Sequence, residues 1–171
     1  MMNTPLQPRT AGEPADAPPK QRVTSDMRFV VASKESAPFK EGRRPFFKYR
    51  DLGVTGASNG TMRADVQFAT QGMSKPTGWH YHECEQQFVY VLQGWIELQF
   101  EDGSTHKIEA GGSLFIPPGF RHNEIHTSDH FEIVEVTVPA VIGTVPCDPP
   151  PGWDGDTFHP DVAAAARGLP A

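Results

Sequence analysis

Hydrophobic and polar residues alternate with a period of two through most of the middle of the chain. In residues 61–69, Met62, Ala64, Val66 and Phe68 fall on one face and Arg63, Asp65 and Gln67 on the other. That is the pattern of a strand with one apolar face, because successive strand side chains point to opposite sides; which face looks inward is open. Further short strands are predicted at 28–32 (an edge strand), 45–50, 79–82, 87–92, 95–100, 105–108, 113–117, 122–126 and 131–138. Glycine, proline and aspartate punctuate them. Asp102-Gly103 is the strongest hairpin signal, and Gln93-Gly94, Ala110-Gly111-Gly112 and Pro118-Gly119 mark other turns. Residues 54–60 read as a turn-rich connection, and no helical period of useful length occurs between Arg28 and Val138. Many short strands at regular spacing predict an antiparallel sandwich or barrel.

The alternation fades at both ends. Residues 1–27 are rich in proline, alanine and polar residues, have no hydrophobic period, and are expected to form a flexible arm. Beyond the barrel, expected at 28–139, residues 140–171 carry Pro146, Pro149, Pro150, Pro151 and Pro160 and read as a stiff, extended tail. Only 161–168 looks helical, with Asp161 as N-cap and Gly168 as stop. Trp153 and Phe158 suggest that the tail docks, with its own barrel as one candidate surface.

At 171 residues the chain is expected to be one domain. Its net charge of -6 argues against nucleic acid as main partner, and no basic cluster exceeds Arg43-Arg44, so an anionic membrane is unsupported too. Cys84 and Cys147 make a poor disulfide framework and fit a reducing compartment. Residues 1–20 hold no apolar stretch suited to a signal peptide, and no long apolar run suits a membrane span. A soluble cytoplasmic protein is the expectation.

Candidate chemistry begins at His80-Tyr81-His82. The alternation puts both histidines on one face, and paired neutral imidazoles suit a divalent transition metal. A third histidine, His122, follows Gly111-Gly112-Ser113-Leu114-Phe115-Ile116-Pro117-Pro118-Gly119-Phe120-Arg121. In these residues the sequence resembles the cupins, small all-β jelly-roll barrels that usually hold one metal. The first cupin motif is a His-x-His pair, three or four residues, a Glu, six residues and a Gly. Here His80, His82 and Gly94 fit, but Gln87 holds the Glu position, and Ser74 stands where the motif's opening Gly is usual. The second motif is Gly, five residues, Pro-x-Gly, two residues, His, three residues and Asn. Gly111, Pro117, Gly119 and His122 fit, while His126 replaces the Asn. The resemblance covers residues 28–139.

The resemblance implies a single-domain cupin-like barrel with Pro-rich termini, and His80, His82 and His122 as metal ligands. Gln87 is neutral: it could bind the metal weakly through its carbonyl oxygen, orient a water or substrate, or mark a decayed site. A three-histidine site without a carboxylate leaves more positive charge on the metal and favours an anionic, chelating small molecule. Cupins of that type include iron dioxygenases, so the implied function is a metal-dependent, dioxygenase-like oxidoreductase. The alternatives are a non-catalytic ligand- or metal-binding module, or an isomerase or lyase. The resemblance favours iron, though zinc, nickel, manganese and copper also accept imidazole.

Without a bulge, His126 shares the face of His122 and is a candidate fourth ligand, a general acid/base, or a surface residue. Gln87 and His126 are the catalytic candidates. Phe88, Tyr90 and Phe115 would line or back a pocket or belong to the core, and Arg63 or Gln67 would reach a substrate carboxylate if their face looks inward. Glu83, Glu85, Cys84, His106, His130 and His159 read as bystanders. No nucleophile elbow, phosphate loop or CxxC pair occurs. Cupins commonly dimerise, so a homodimer is expected, with 28–32 as the candidate edge or exchanged strand.

Overall fold

The computed structural model describes residues 26–41, 47–73 and 75–155. In chain order its elements are β1 (Lys40–Glu41), β2 (Phe47–Asp51), a one-turn helix α1 (Val54–Ala57), β3 (Arg63–Ala69), β4 (His80–Glu83), β5 (Gln86–Gln93), β6 (Trp95–Phe100), β7 (Thr105–Glu109), β8 (Ser113–Ile116), β9 (His122–Thr127), β10 (Glu132–Val138) and β11 (Gly143–Pro146). Every pairing is antiparallel. One sheet has the order β1-β2-β3-β10-β5-β8 and the other β11-β4-β9-β6-β7. The two form the antiparallel sandwich that the alternation predicts, in the jelly roll that the resemblance implies. Asp102-Gly103 turns β6 into β7, with Gly103 at φ 84°. Gly94, between β5 and β6, has φ 71°, and a Cβ there would lie 2.1 Å from Ser128 Oγ. Both backbone and neighbour exclude a side chain at that turn.

The core follows from period two. Val89 and Val91 of β5, Ile96, Leu98 and Phe100 of β6, Ile116 of β8, and Ile133 of β10 point inward and pack with Ala69 and Phe131. The opposite face of β5 is unusual for a solvent side: Phe88, Tyr90 and Leu92 are 40–45% exposed. Phe88 and Tyr90 therefore stand outside the barrel interior rather than in it. Phe115, their neighbour on β8, is 56% exposed and does the same.

β3 resolves the question of its faces. Arg63 and Gln67 look into the barrel, whereas Ala64 and Val66 are buried on the other side, where α1 packs against the strand. The apolar face is thus covered from outside, and the polar face is available to a cavity. The turn-rich stretch at 54–60 contains α1, a single turn closed by Ala57 N–H donating to Gly53 O at 3.1 Å.

Residues 28–32 form no strand. Arg28 N–H donates to Ala57 O at 2.8 Å, and Phe29 and Val31 are largely exposed. Their apolar composition suggested an edge, but the edge beside β2 is taken by β1. Past Pro139, β11 pairs with β4, setting Pro146 opposite His80 and Thr144 opposite His82. Trp153 then rests edge-on against Trp79, ring centroids 5.8 Å apart. Residues 1–25 of the arm expected at 1–27, the helix expected at 161–168, Phe158 and His159 lie outside the described residues. Among the described residues no helix is long and apolar enough to cross a membrane.

Candidate metal centre

Three histidines meet because of strand register. Alternation on β4 puts His80 and His82 on one face, and His80 lies directly opposite His122 on β9. Ring centroids are 4.4 Å apart for His80 and His122, 5.1 Å for His80 and His82, and 5.2 Å for His82 and His122. One ring nitrogen from each lies within 4.8 Å of the others. Among the described residues this is the group of three suited to a metal.

The other ring nitrogens are anchored. His80 Nδ1 is 2.8 Å from Gly78 O, and His122 Nδ1 is 3.0 Å from Phe120 O. His82 Nδ1 is 3.3 Å from Gly143 O and 3.2 Å from Thr144 Oγ1. A carbonyl accepts only, so each Nδ1 must carry its proton, which leaves each Nε2 as a lone pair. Such backbone anchoring is the usual outer support of a metal-binding imidazole. His122 Nε2 is buried with no hydrogen-bond partner, the orphan that a cation would satisfy. Burial, then the neighbouring His122 and His80, pushes His82 down to about 4. Burial also lowers His122. Both imidazoles are therefore neutral donors at neutral pH. The residues present fit a divalent transition metal.

Gln87 enters on β5. Its Nε2 donates to Glu135 Oε1 at 2.8 Å, while its Oε1 is buried without a partner. Glu135 is held in turn by β3: Arg63 Nη2 lies 2.5 Å and Gln67 Nε2 2.8 Å from its Oε2. Arg63 Nε also stands 3.4 Å from Asp65 Oδ2. Burial, then the charge of Glu135, raises the Asp65 carboxyl to about 6. Arg63 and Gln67 do face inward, as one reading of the alternation had it, but both are committed to these carboxylates.

Glu124, two residues past His122, also faces in. Its Oε2 is 3.8 Å from His80 Nε2 and accepts a hydrogen bond from the Thr77 hydroxyl. Burial pushes the Glu124 carboxyl up, but His80, His122 and Thr77 together hold it below the ordinary range. His126 goes the other way. β9 shifts register against β6 between the pairs Glu97–His126 and Leu98–Glu124, so Ile125 is an extra residue. That bulge reverses the alternation. His126 is exposed, and its Nδ1 lies 3.1 Å from Glu97 Oε2. It does not share the face of the triad.

A cavity of about 390 Å³ opens between the sheets. His80, His82, Gln87, Glu124, Glu135 and Arg63 form its polar wall, and Val89, Ile96, Leu98, Ile116, Phe131 and Ile133 its apolar wall. Sequence reasoning missed Glu124 and Glu135. Each had a signal: Glu124 keeps the parity of His122, and Glu135 interrupts the apolar face of Ile133-Val134-Glu135-Val136-Thr137.

Residues 65–138 match the family model Cupin_2, described as a cupin domain. The chain is 27% identical over 114 residues to Protein SchB from Streptomyces halstedii, covering 67% of this chain and 65% of that one. It is 32% identical over 76 residues to Polyketide synthase CurC from Streptomyces cyaneus, covering 44% and 46%. The matches thus span less than two thirds of either curated relative. The solved structure of the polyketide cyclase RemF from Streptomyces resistomycificus is similar with a TM-score of 0.57 and 18% identity, covering 82% of this chain and 94% of that one. At that identity the likeness concerns the fold. Residues 65–138 are a cupin domain by that match, and the fold around them is the cupin fold.

Proposed function

We propose that this cupin is a metal-dependent enzyme acting on a small, enolisable polycarbonyl compound of the polyketide type, which it closes into a ring without using oxygen. The observation that carries the reading is the cluster of three imidazoles, each anchored through Nδ1, of which His80 and His82 line the polar end of a 390 Å³ cavity with an apolar opposite wall. Such a cavity suits a small ligand with oxygens at one end and hydrocarbon at the other. The printed names of one curated relative and one fold neighbour, a polyketide synthase and a polyketide cyclase, point the same way.

Charge narrows the substrate. The cation in the cavity wall, Arg63, is engaged by Glu135 and Asp65, and Glu124 adds another carboxylate. Among the described residues, a substrate carboxylate would find no uncommitted cation in that wall. A neutral chain of carbonyls, which becomes anionic only when it loses a proton, fits better than a permanent anion.

His80, His82 and His122 would hold the metal, and Gln87 Oε1 is a further donor in the wall. A divalent ion bound there would supply Lewis acidity, which acidifies a carbon flanked by carbonyls. Glu124 Oε2 would accept that proton, oriented by the Thr77 hydroxyl. The apolar wall of Leu98, Ile116 and Phe131 would fold the remaining chain so that the deprotonated carbon meets a carbonyl carbon. A carbon–carbon bond forms, and the attacked carbonyl oxygen takes up a proton.

A second reading is the dioxygenase-type oxidoreductase, with iron. It is favoured by the neutral donor set of His80, His82 and His122, which would hold an iron ion able to supply redox chemistry. One experiment separates the two. Untagged protein is assayed for metal, then incubated with a synthetic triketone under nitrogen and under air. Cyclised product at equal rates in both supports the cyclase. Oxygen uptake with ring or chain cleavage, absent under nitrogen, would replace it with the dioxygenase. A protein that takes up no metal defeats both.

A further inference from the structure

We infer that Glu135 is a positioning residue of the metal centre: it turns the Gln87 amide so that the carbonyl oxygen becomes the fourth protein donor. The inference rests on the metal-centre reading above and adds what that reading leaves open, namely why a glutamine occupies position 87.

The amide has two ends, and the pairing decides which faces where. Glu135, ion-paired with Arg63, offers only acceptors. Gln87 Nε2, at 2.8 Å, must therefore be the end that meets it. Oε1 is left as a buried acceptor with no protein partner, in the wall of the cavity that His80 and His82 also line. An orphaned acceptor in that place costs stability unless something positive satisfies it. His122 Nε2 is the second orphan of the same kind. Gln87 shares the cavity wall with His80 and His82, which cluster with His122, so one shared cation would resolve both unsatisfied lone pairs.

Glu135 cannot easily swing away. Arg63 and Gln67 hold its Oε2 from β3 while Gln87 takes Oε1 from β5, so three donors on two strands fix one carboxylate. The same contact bars a glutamate from position 87, because its carboxylate would face that of Glu135 at about the 2.8 Å of the present hydrogen bond. Like charges that close exclude one another. The negative charge has moved one strand outward, and the amide passes its influence inward.

The test is Co(II) affinity of the full chain, by competition with a chromophoric chelator, with the visible Co(II) spectrum recorded alongside. Glu135→Gln gives the facing side chain a donor and frees the amide to flip. Both Glu135→Gln and Gln87→Leu are expected to weaken Co(II) binding about tenfold or more and to alter the spectrum alike, and the double variant should lose no more than either alone. The exchanged pair, Gln87→Glu with Glu135→Gln, should restore binding. If Glu135→Gln binds as wild type does, or if its loss adds in full to that of Gln87→Leu, Glu135 is merely structural and the inference falls while the triad stands. If Glu135→Gln fails to fold alone, the exchanged pair decides: restored binding supports the inference, and unrestored binding overturns it. If wild type binds no Co(II), the metal centre itself fails and takes the inference with it.

Discussion

The inward faces of β5 and β10 change character along their length. At one end Gln87 lies opposite Thr137; two pairs on, Val91 and Ile133 are opposite. β6 and β9 extend the contrast: Phe100 and Leu98 face His122 and Glu124 across the ladder, at the boundary between the two regions. The apolar end, with Val91, Leu98, Phe131 and Ile133, is packed and satisfied. The polar end leaves Gln87 Oε1, His122 Nε2 and Thr137 Oγ1 buried without partners. Burying apolar surface stabilises a fold, whereas burying unmatched polar atoms costs it stability. One end of the barrel therefore holds the fold together, and the other is held ready at its expense.

The largest test of that contrast is at the apolar end. Phe131 is 1% exposed. Phe131→Ala should cost about 3–5 kcal/mol of unfolding free energy in urea titrations, while any protein still folded keeps its metal stoichiometry. Loss of metal with little loss of stability would dissolve the distinction between the two ends.

At the polar end, zinc at a hundredfold excess over its Kd should raise the unfolding free energy of wild type by about 2.7 kcal/mol. His82→Ala should show no such rise, and without metal it should differ little from wild type. Equal zinc stabilisation of both proteins would remove His82 from the centre.

Acid should act on the same residue. His82 stays neutral in the fold down to about pH 4, from an ordinary value of 6.5. The unfolded chain takes up a proton in that window and the folded one does not, so His82's contribution is intact above pH 6.5 and lost as pH falls toward 4. The metal-free wild type should lose stability over that range relative to His82→Ala.

Asp65 has the opposite sign. Its folded pKa of about 6 exceeds the ordinary 3.8, so its penalty is full above pH 6 and relieved as pH falls toward 3.8. Asp65→Asn should stabilise the protein by on the order of 1 kcal/mol at pH 8, with the gain shrinking by pH 4. A gain independent of pH would mean that the charge of Asp65 is not the cause. The smallest effect belongs to His126→Ala. An exposed pair with Glu97 is worth less than about 0.5 kcal/mol, and metal affinity should be unchanged; a measurable loss of metal would place His126 back at the site.

The strands were legible because the side-chain period of two survives wherever one face is buried, and Asp102-Gly103 and Gln93-Gly94 name their own turns. His80, His82 and His122 were marked out by the resemblance to the cupin motifs, and the structure brings the three together. Two kinds of information were not legible. The first is which face of a strand looks inward: β3 carries its polar residues to the cavity because α1 covers the other side, a fact external to the strand. The second is local irregularity. Ile125 occupies one extra place in β9, and nothing in His122-Asn123-Glu124-Ile125-His126 marks it, so parity carries both Glu124 and His126 inward where the structure keeps only Glu124. Residues 28–32 failed for a related reason: a strand needs a free edge as well as β-forming residues.

That extra residue divides β9 into two reading frames. Before it, even-numbered side chains face the barrel interior; after it, Thr127 does, opposite the inward Ile96. Thr127 Oγ1 accepts the backbone N–H of Met73, which ties the later frame to the loop after β3. Changes of residue type in the first frame alter what the cavity presents, and they leave the second frame's anchorage in phase. Removing Ile125 would merge the frames, forcing the strand to give up either the phase of the triad or the phase of its anchor.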